Sequence, residues 1–139
     1  MSRLDDIVII TGRRREDGRG WLHVALGASQ LPEGAEFGEL YIVRAPAAGD
    51  RRGDHLHPRM HEWFSVVEGA ADLELVDPKS GDRRVLRLVA DAPRTVHVPA
   101  GIAHCFVNVM DAPMTIVAWA SAEHDPDDVV AFSTAARGR

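Results

Sequence analysis

The sequence predicts an all-β protein, and three observations carry that prediction. Apolar runs are short, and turn residues separate them every eight to twelve positions or so. Two of the runs alternate strictly, Leu73 and Leu75 against Asp72 and Glu74, and Leu86 and Leu88 against Arg87, as half-buried strands do. No stretch long enough for a core helix shows a helical apolar period. The runs fall at 21–26, 37–45, 62–67, 71–76, 84–89, 95–98, 104–109 and 114–120. Eight short strands without a long helix are expected to close into a double-sheet barrel that hides its own edges.

Taken in order, residues 1–36 read as an N-terminal arm with apolar runs at 7–10 and 21–26. Between them, Arg13-Arg14-Arg15-Glu16-Asp17-Gly18-Arg19-Gly20 reads as a charged, solvated loop. Residues 37–120 are the expected barrel. Within it, Asp77-Pro78-Lys79-Ser80-Gly81-Asp82 and Asp111-Ala112-Pro113 are turn sequences. Residues 121–139 form a C-terminal tail. Asp125-Pro126-Asp127 reads as a helix start, which predicts one short helix over 127–136.

Composition narrows the function. A chain of 139 residues is expected to make one domain with its own core. A net charge of −5 argues against a general nucleic-acid binder. No run of about 18 apolar residues is present, so no membrane span is expected. The first residues lack a signal-type hydrophobic stretch, and one cysteine cannot form an internal disulfide; both favour the cytoplasm. All but one of the 16 basic residues are Arg, the fork-shaped cation that binds phosphate and carboxylate well.

The chemistry is concentrated in two segments. The first runs His55-Leu56-His57, then Glu62 and Gly69. The second runs Pro99-Ala100-Gly101-Ile102-Ala103-His104, then Asn108, the only asparagine. Side chains at i and i+2 of a strand share a face, so His55 and His57 can converge while Leu56 turns away. Glu62 and His104 each open a further apolar run. Three imidazoles and one carboxylate make a complete shell for one divalent metal ion, zinc first, with iron, nickel or manganese also suited. Without thiolates, such a site can keep a position open for water or substrate.

These two motifs resemble the cupin superfamily, small jelly-roll barrels (double-stranded β-helices) that bind a metal through such residues. The resemblance spans roughly residues 37–120. It departs at Pro93, where the family has a glycine six residues before the motif proline. A narrower resemblance, to sugar-nucleotide cupins, rests on Arg52-Gly53-Asp54-His55-Leu56-His57, Glu62-Trp63-Phe64-Ser65-Val66-Val67-Glu68-Gly69 and Ala118-Trp119-Ala120-Ser121 with Asp125-Pro126-Asp127-Asp128. Gly20-Trp21-Leu22 and Phe37-Gly38-Glu39-Leu40-Tyr41 extend it upstream. These relatives are the 3,4-ketoisomerases of deoxysugar pathways and the epimerase-type cupin domain of capsular-polysaccharide enzymes. The resemblance implies proton transfer next to the carbonyl of a keto sugar nucleotide. In metal-free members the His-x-His pair does the acid–base work; in metal-bearing ones it binds zinc.

On this reading the metal ligands are His55, His57, Glu62 and His104. The catalytic candidates are His55 and Tyr41, the only tyrosine, as a phenol donating to an enolate. Substrate-binding candidates are Arg44, Arg52 and Arg59, with Arg51 as a further cation, and His97, which also reads as a satisfied strand histidine. His61 is expected beside the ligands without being one. Cys105, next to His104, is expected to point the other way. A small-molecule substrate and a homodimer are expected, the latter because the arm's apolar runs can extend a neighbour's sheet. The alternatives are an iron-dependent oxygenase, a zinc cyclase of polyketide type, and a non-catalytic small-molecule-binding barrel.

Overall fold

The computed structural model describes residues 2–136; the end of the expected tail, residues 137–139, lies outside the described residues. Two five-stranded antiparallel sheets face each other. The first has the order β1 (Val8–Thr11), β9 (Arg94–Val98), β6 (Glu62–Glu68), β11 (Met114–Ala120), β4 (Glu39–Ala45). The second has the order β12 (Val130–Ala131), β5 (Arg51–Leu56), β10 (Ala103–Asn108), β7 (Ala70–Val76), β8 (Arg83–Val89). This is the jelly-roll barrel of the cupins.

The alternation in the sequence decides what fills it. Leu73, Leu75, Leu86 and Leu88 from one sheet meet Phe64, Val66, Val96, Val98, Met114 and Ile116 from the other, and all are buried. Phe64 and Phe106 meet edge to face across the core with centroids 4.9 Å apart. The turn at 77–82 closes the β7–β8 hairpin, where the Asp77 amide donates to Asp82 and the Gly81 amide to Asp77. The only asparagine is a buried brace: the Asn108 side-chain amide donates to the Ala45 and Ala112 carbonyls, and its Oδ1 accepts from Met110 N.

Two expectations are corrected. The charged stretch from residue 13 is not a loop. Arg13–Asp17 forms strand β2 and pairs antiparallel with β3, Gly20–Val24, so that only residues 18 and 19 turn. Both faces of this hairpin are polar or exposed, which is why no apolar alternation announced it. The expected helix over 127–136 is a single 3-10 turn, Pro126–Asp128. Asp125 caps it by accepting from Asp127 N, yet Val129 is already extended and Val130 pairs with Leu56. No α-helix occurs among the described residues.

Candidate metal centre and active-site cavity

His104 and His55 are cross-strand neighbours on β10 and β5. The register slips just beyond them, because Gly53 faces Cys105 directly while Asp54 bulges out at φ 57°. Gly53 has φ 122°, and a Cβ there would lie 2.7 Å from the His104 carbonyl oxygen, so only glycine fits. The bulge re-aims His55 inward. Glu62 enters from the opposite sheet, at the start of β6, and Tyr41 from β4. One ligand atom from each of His55, His57, Glu62 and His104 lies within 4.8 Å of the others, the one such metal-competent group among the described residues. His57, Glu62 and His104 are buried.

The hydrogen bonds show how the donors are aimed. His57 Nδ1 lies 2.8 Å from the Asp128 carbonyl oxygen, and His104 Nδ1 lies 3.2 Å from that of Ile102. A carbonyl only accepts, so each Nδ1 carries the hydrogen. In the neutral rings the Nε2 lone pairs then face Glu62 Oε1, at 3.1 and 3.4 Å. That oxygen is buried and has no hydrogen-bond partner. Lone pairs converging on an unsatisfied carboxylate oxygen fit a divalent cation. The set would hold one through His55, His57, Glu62 and His104.

The surroundings keep the carboxylate charged. Burial works against ionised Glu62, but His104 and His57 outweigh it and hold the carboxyl below its usual range. Burial also opposes a charge on His57, and Glu62 reverses this and raises it. His55 has no such partner; burial, then His104 and His57, lower it to about 4, so it is a neutral base at pH 7. Tyr41 donates its hydroxyl hydrogen to Glu62 Oε2. Burial and the Glu62 charge push its ionisation up, so Tyr41 remains a phenol.

His55, His104 and Tyr41 open onto a cavity of about 140 Å³ between β4 and β5, walled by Val43, Phe64, Phe106 and Ile116, with Arg52 at its edge. The other candidates lie elsewhere. Arg44 alternates with inward-facing Val43 and Ala45, so it is exposed on the outer face of β4. Arg51 is tied to Asp54 and Glu74 at 3.0 and 2.7 Å. Arg59 is spread on the surface against Asp125 at 3.0 Å. His97 is on the outer face of its sheet, stacked on Trp63 with centroids 4.4 Å apart, its Nε2 2.9 Å from His61 Nδ1. It does not line the cavity, because it shares a phase with Thr95 rather than with inward-facing Val96 and Val98. Cys105 also faces away from the cavity, and burial raises its thiol to about 11.

The sequence matches the family described as "Polysaccharide biosynthesis C-terminal domain" over residues 16–132. The chain belongs to that family. No curated protein matches it. Among solved structures, a dTDP sugar isomerase from Desulfovibrio desulfuricans has TM-score 0.85 and 19% identity, over 98% of this chain and 89% of its own. The dTDP-6-deoxy-D-glucose-3,5-epimerase RmlC from Legionella pneumophila, in complex with dTDP-4-keto-L-rhamnose, has TM-score 0.78 and 22% identity, over 91% and 72%. QdtA, a sugar 3,4-ketoisomerase from Thermoanaerobacterium thermosaccharolyticum in complex with TDP, has TM-score 0.76 and 17% identity, over 91% and 88%. These likenesses establish a shared cupin fold.

The sequence missed three features. The Tyr41–Glu62 bond joins residues 21 positions apart, and only the barrel's closure reveals it. The outer His61–His97–Trp63 stack depends on strand phase. Asp128, behind His57, was visible only as part of the Asp125-Pro126-Asp127-Asp128 resemblance.

Proposed function

We propose that this protein is a sugar-nucleotide isomerase or epimerase that moves protons next to the carbonyl of a keto sugar. The observation that carries this is a base and an acid on one small cavity. His55 is neutral with no hydrogen bond to its ring among the described residues, and Tyr41 is a phenol held protonated. Such a pair supports removal of a proton α to a carbonyl and return of one at the neighbouring oxygen or carbon. The fold neighbours include a dTDP-sugar epimerase and a ketoisomerase, which agrees with this chemistry.

His55 takes the α-proton, and its low basicity limits it to substrates acidified by an adjacent carbonyl. Tyr41 donates, after releasing its bond to Glu62. The apolar walls, Val43, Phe64, Phe106 and Ile116, exclude water from the reacting carbons. The cavity suits the reacting end of a ligand, so the nucleotide would lie outside it, and Arg52 at the cavity edge would meet the diphosphate. A divalent ion, zinc first, would be held through the same His55 lone pair, so it would supply electrophilic stabilisation of the developing oxyanion in place of the His55 base. The ligand set alone also suits an iron-dependent oxygenase or a zinc cyclase; the His55–Tyr41 pair favours proton transfer.

The working unit is proposed to be a homodimer. β4 is an edge strand, and its outward Leu40 and Ile42 are 60% and 69% exposed. Phe37, Trp21 and Leu22 are exposed as well. A partner covering this edge would remove an aggregation hazard. Ultracentrifugation is expected to find twice the 15.2 kDa chain mass at micromolar concentration.

The deciding experiment incubates the protein with a 4-keto sugar nucleotide in D₂O and follows deuterium incorporation by NMR, with zinc and with chelator. Exchange at the carbon beside the carbonyl is expected. No exchange in either condition, together with oxygen uptake on adding iron, would establish the oxygenase instead.

A further inference from the structure

The segment after the barrel runs behind the His-x-His pair as a strap. Val130 and Ala131 pair with Leu56 and His55, and Phe132 N donates to the Asp54 carbonyl at 2.9 Å. Thr134 fastens the far end, its amide and hydroxyl both 3.1 Å from Asp54 Oδ1. At the near end Asp128 is only 5% exposed. Its two carboxylate oxygens accept from Arg59 N at 2.8 Å and Met60 N at 3.0 Å, and its backbone carbonyl accepts from His57 Nδ1. A buried carboxylate is costly unless its oxygens are satisfied. Here two backbone amides of the turn after His57 satisfy them. One residue therefore fixes both the turn that carries His57 and the ring of His57 itself.

We propose that Asp128 is a positioning residue for the metal centre: its carboxylate clamps the turn at residues 58–60, so that its carbonyl holds His57 with Nε2 aimed at Glu62. This rests on the metal reading of the four ligands. A carbonyl behind Nδ1 sets one tautomer and one ring orientation, which is how outer partners tune a metal-bound imidazole. An asparagine at this position has one accepting oxygen, and its amide nitrogen would confront a backbone N–H. The turn must then shift, and the His57–carbonyl bond shifts with it.

The test compares Asp128→Asn with Thr134→Val in the full chain. Zinc affinity is read by competition with a chromophoric chelator, Tm on metal-free protein, and the His57 tautomer by ¹⁵N NMR. Asp128→Asn is expected to weaken zinc about 10–100-fold and to turn a single Nδ1–H tautomer into a mixture. Thr134→Val is expected to lower Tm while zinc affinity and tautomer stay as in the parent. Parent-like zinc affinity and tautomer in Asp128→Asn would overturn the proposal, as would an equal zinc loss in Thr134→Val. If the parent takes no zinc, the metal reading fails, and the tautomer alone decides the role of Asp128. If Asp128→Asn does not fold, amide exchange in the parent decides. Zinc is expected to slow exchange at Arg59 and Met60, and unchanged rates would overturn the proposal.

Discussion

Two histidine clusters flank the β6–β9 sheet, and they differ in what stands behind the rings: one comes from β5, the turn after it and β10 and meets the sheet's inner face, the other lies on its outer face. On the inner side, His57 and His104 give their Nδ1 hydrogens to backbone carbonyls, which leaves Nε2 lone pairs to converge with His55 on Glu62. On the outer side, His61 and His97 bond to each other and stack on Trp63, so one lone pair is consumed within the pair. Among the described residues, no carboxylate joins that cluster in a metal-competent group. The same residue type thus yields a convergent donor set where it faces into the barrel and a packed aromatic layer where it faces out. Histidine content alone does not mark a candidate metal site; donors backed by acceptors and aimed at an unsatisfied anion do.

The comparison breaks most sharply at His104. His104→Ala is expected to abolish activity and to weaken zinc by more than the about 10–100-fold that an outer partner contributes. His97→Phe, which keeps the stack on Trp63, is expected to leave zinc affinity unchanged. Chelator competition on both variants checks this. Equal losses would mean that the outer cluster supports the metal. Tyr41→Phe sharpens the inner site: a rate loss of about 10²–10⁴-fold with zinc affinity intact marks a proton donor. A parallel loss of zinc would assign Tyr41 to holding Glu62.

Cys105 tests strand phase at smaller scale. Its side chain is fully buried on the face opposite His104. Cys105→Ala is expected to cost about 1 kcal/mol of stability from lost packing, measured by urea unfolding, with activity kept. Loss of activity at full stability would mean that the thiol reaches the cavity.

How much of this was legible follows from the same phase argument. The donor spacing drew on the two-residue period of a strand, and the two motifs marked the four residues that converge, His55, His57, Glu62 and His104. The strands of the core were legible because their faces differ, as in Leu73-Glu74-Leu75. Strand β2 was not, because Arg13 to Asp17 has no apolar face to reveal a period. The 3-10 turn at Pro126–Asp128 carried a real N-cap signal, but a cap starts a helix without setting its length. Strand phase also placed Arg44 and His97 outside. Sequence spacing could not assign them to a face, since the face is fixed by which neighbours enter the core.

The smallest expected effect is the acid response of the outer pair. Burial, then the neighbouring His61, lowers His97 to about 4, and burial lowers His61 as well, aided by Arg3. An unfolded histidine binds its proton near pH 6.5. Between that value and about 4 the unfolded chain therefore holds a proton that folded His97 lacks, and stability rises with pH across this window. The contribution is fully present above pH 6.5 and is lost as pH falls toward 4. Its slope is at most about 1.4 kcal/mol per pH unit, and smaller here because the ring is only half buried and water screens it. The Tm difference between the parent and His97→Phe isolates the term, since the candidate metal ligands are common to both proteins. That difference is expected to be constant above pH 6.5 and to move in favour of His97→Phe on acidification. An NMR titration placing His97 near 6.5, with a flat Tm difference, would show that the outer pair is open to water rather than packed.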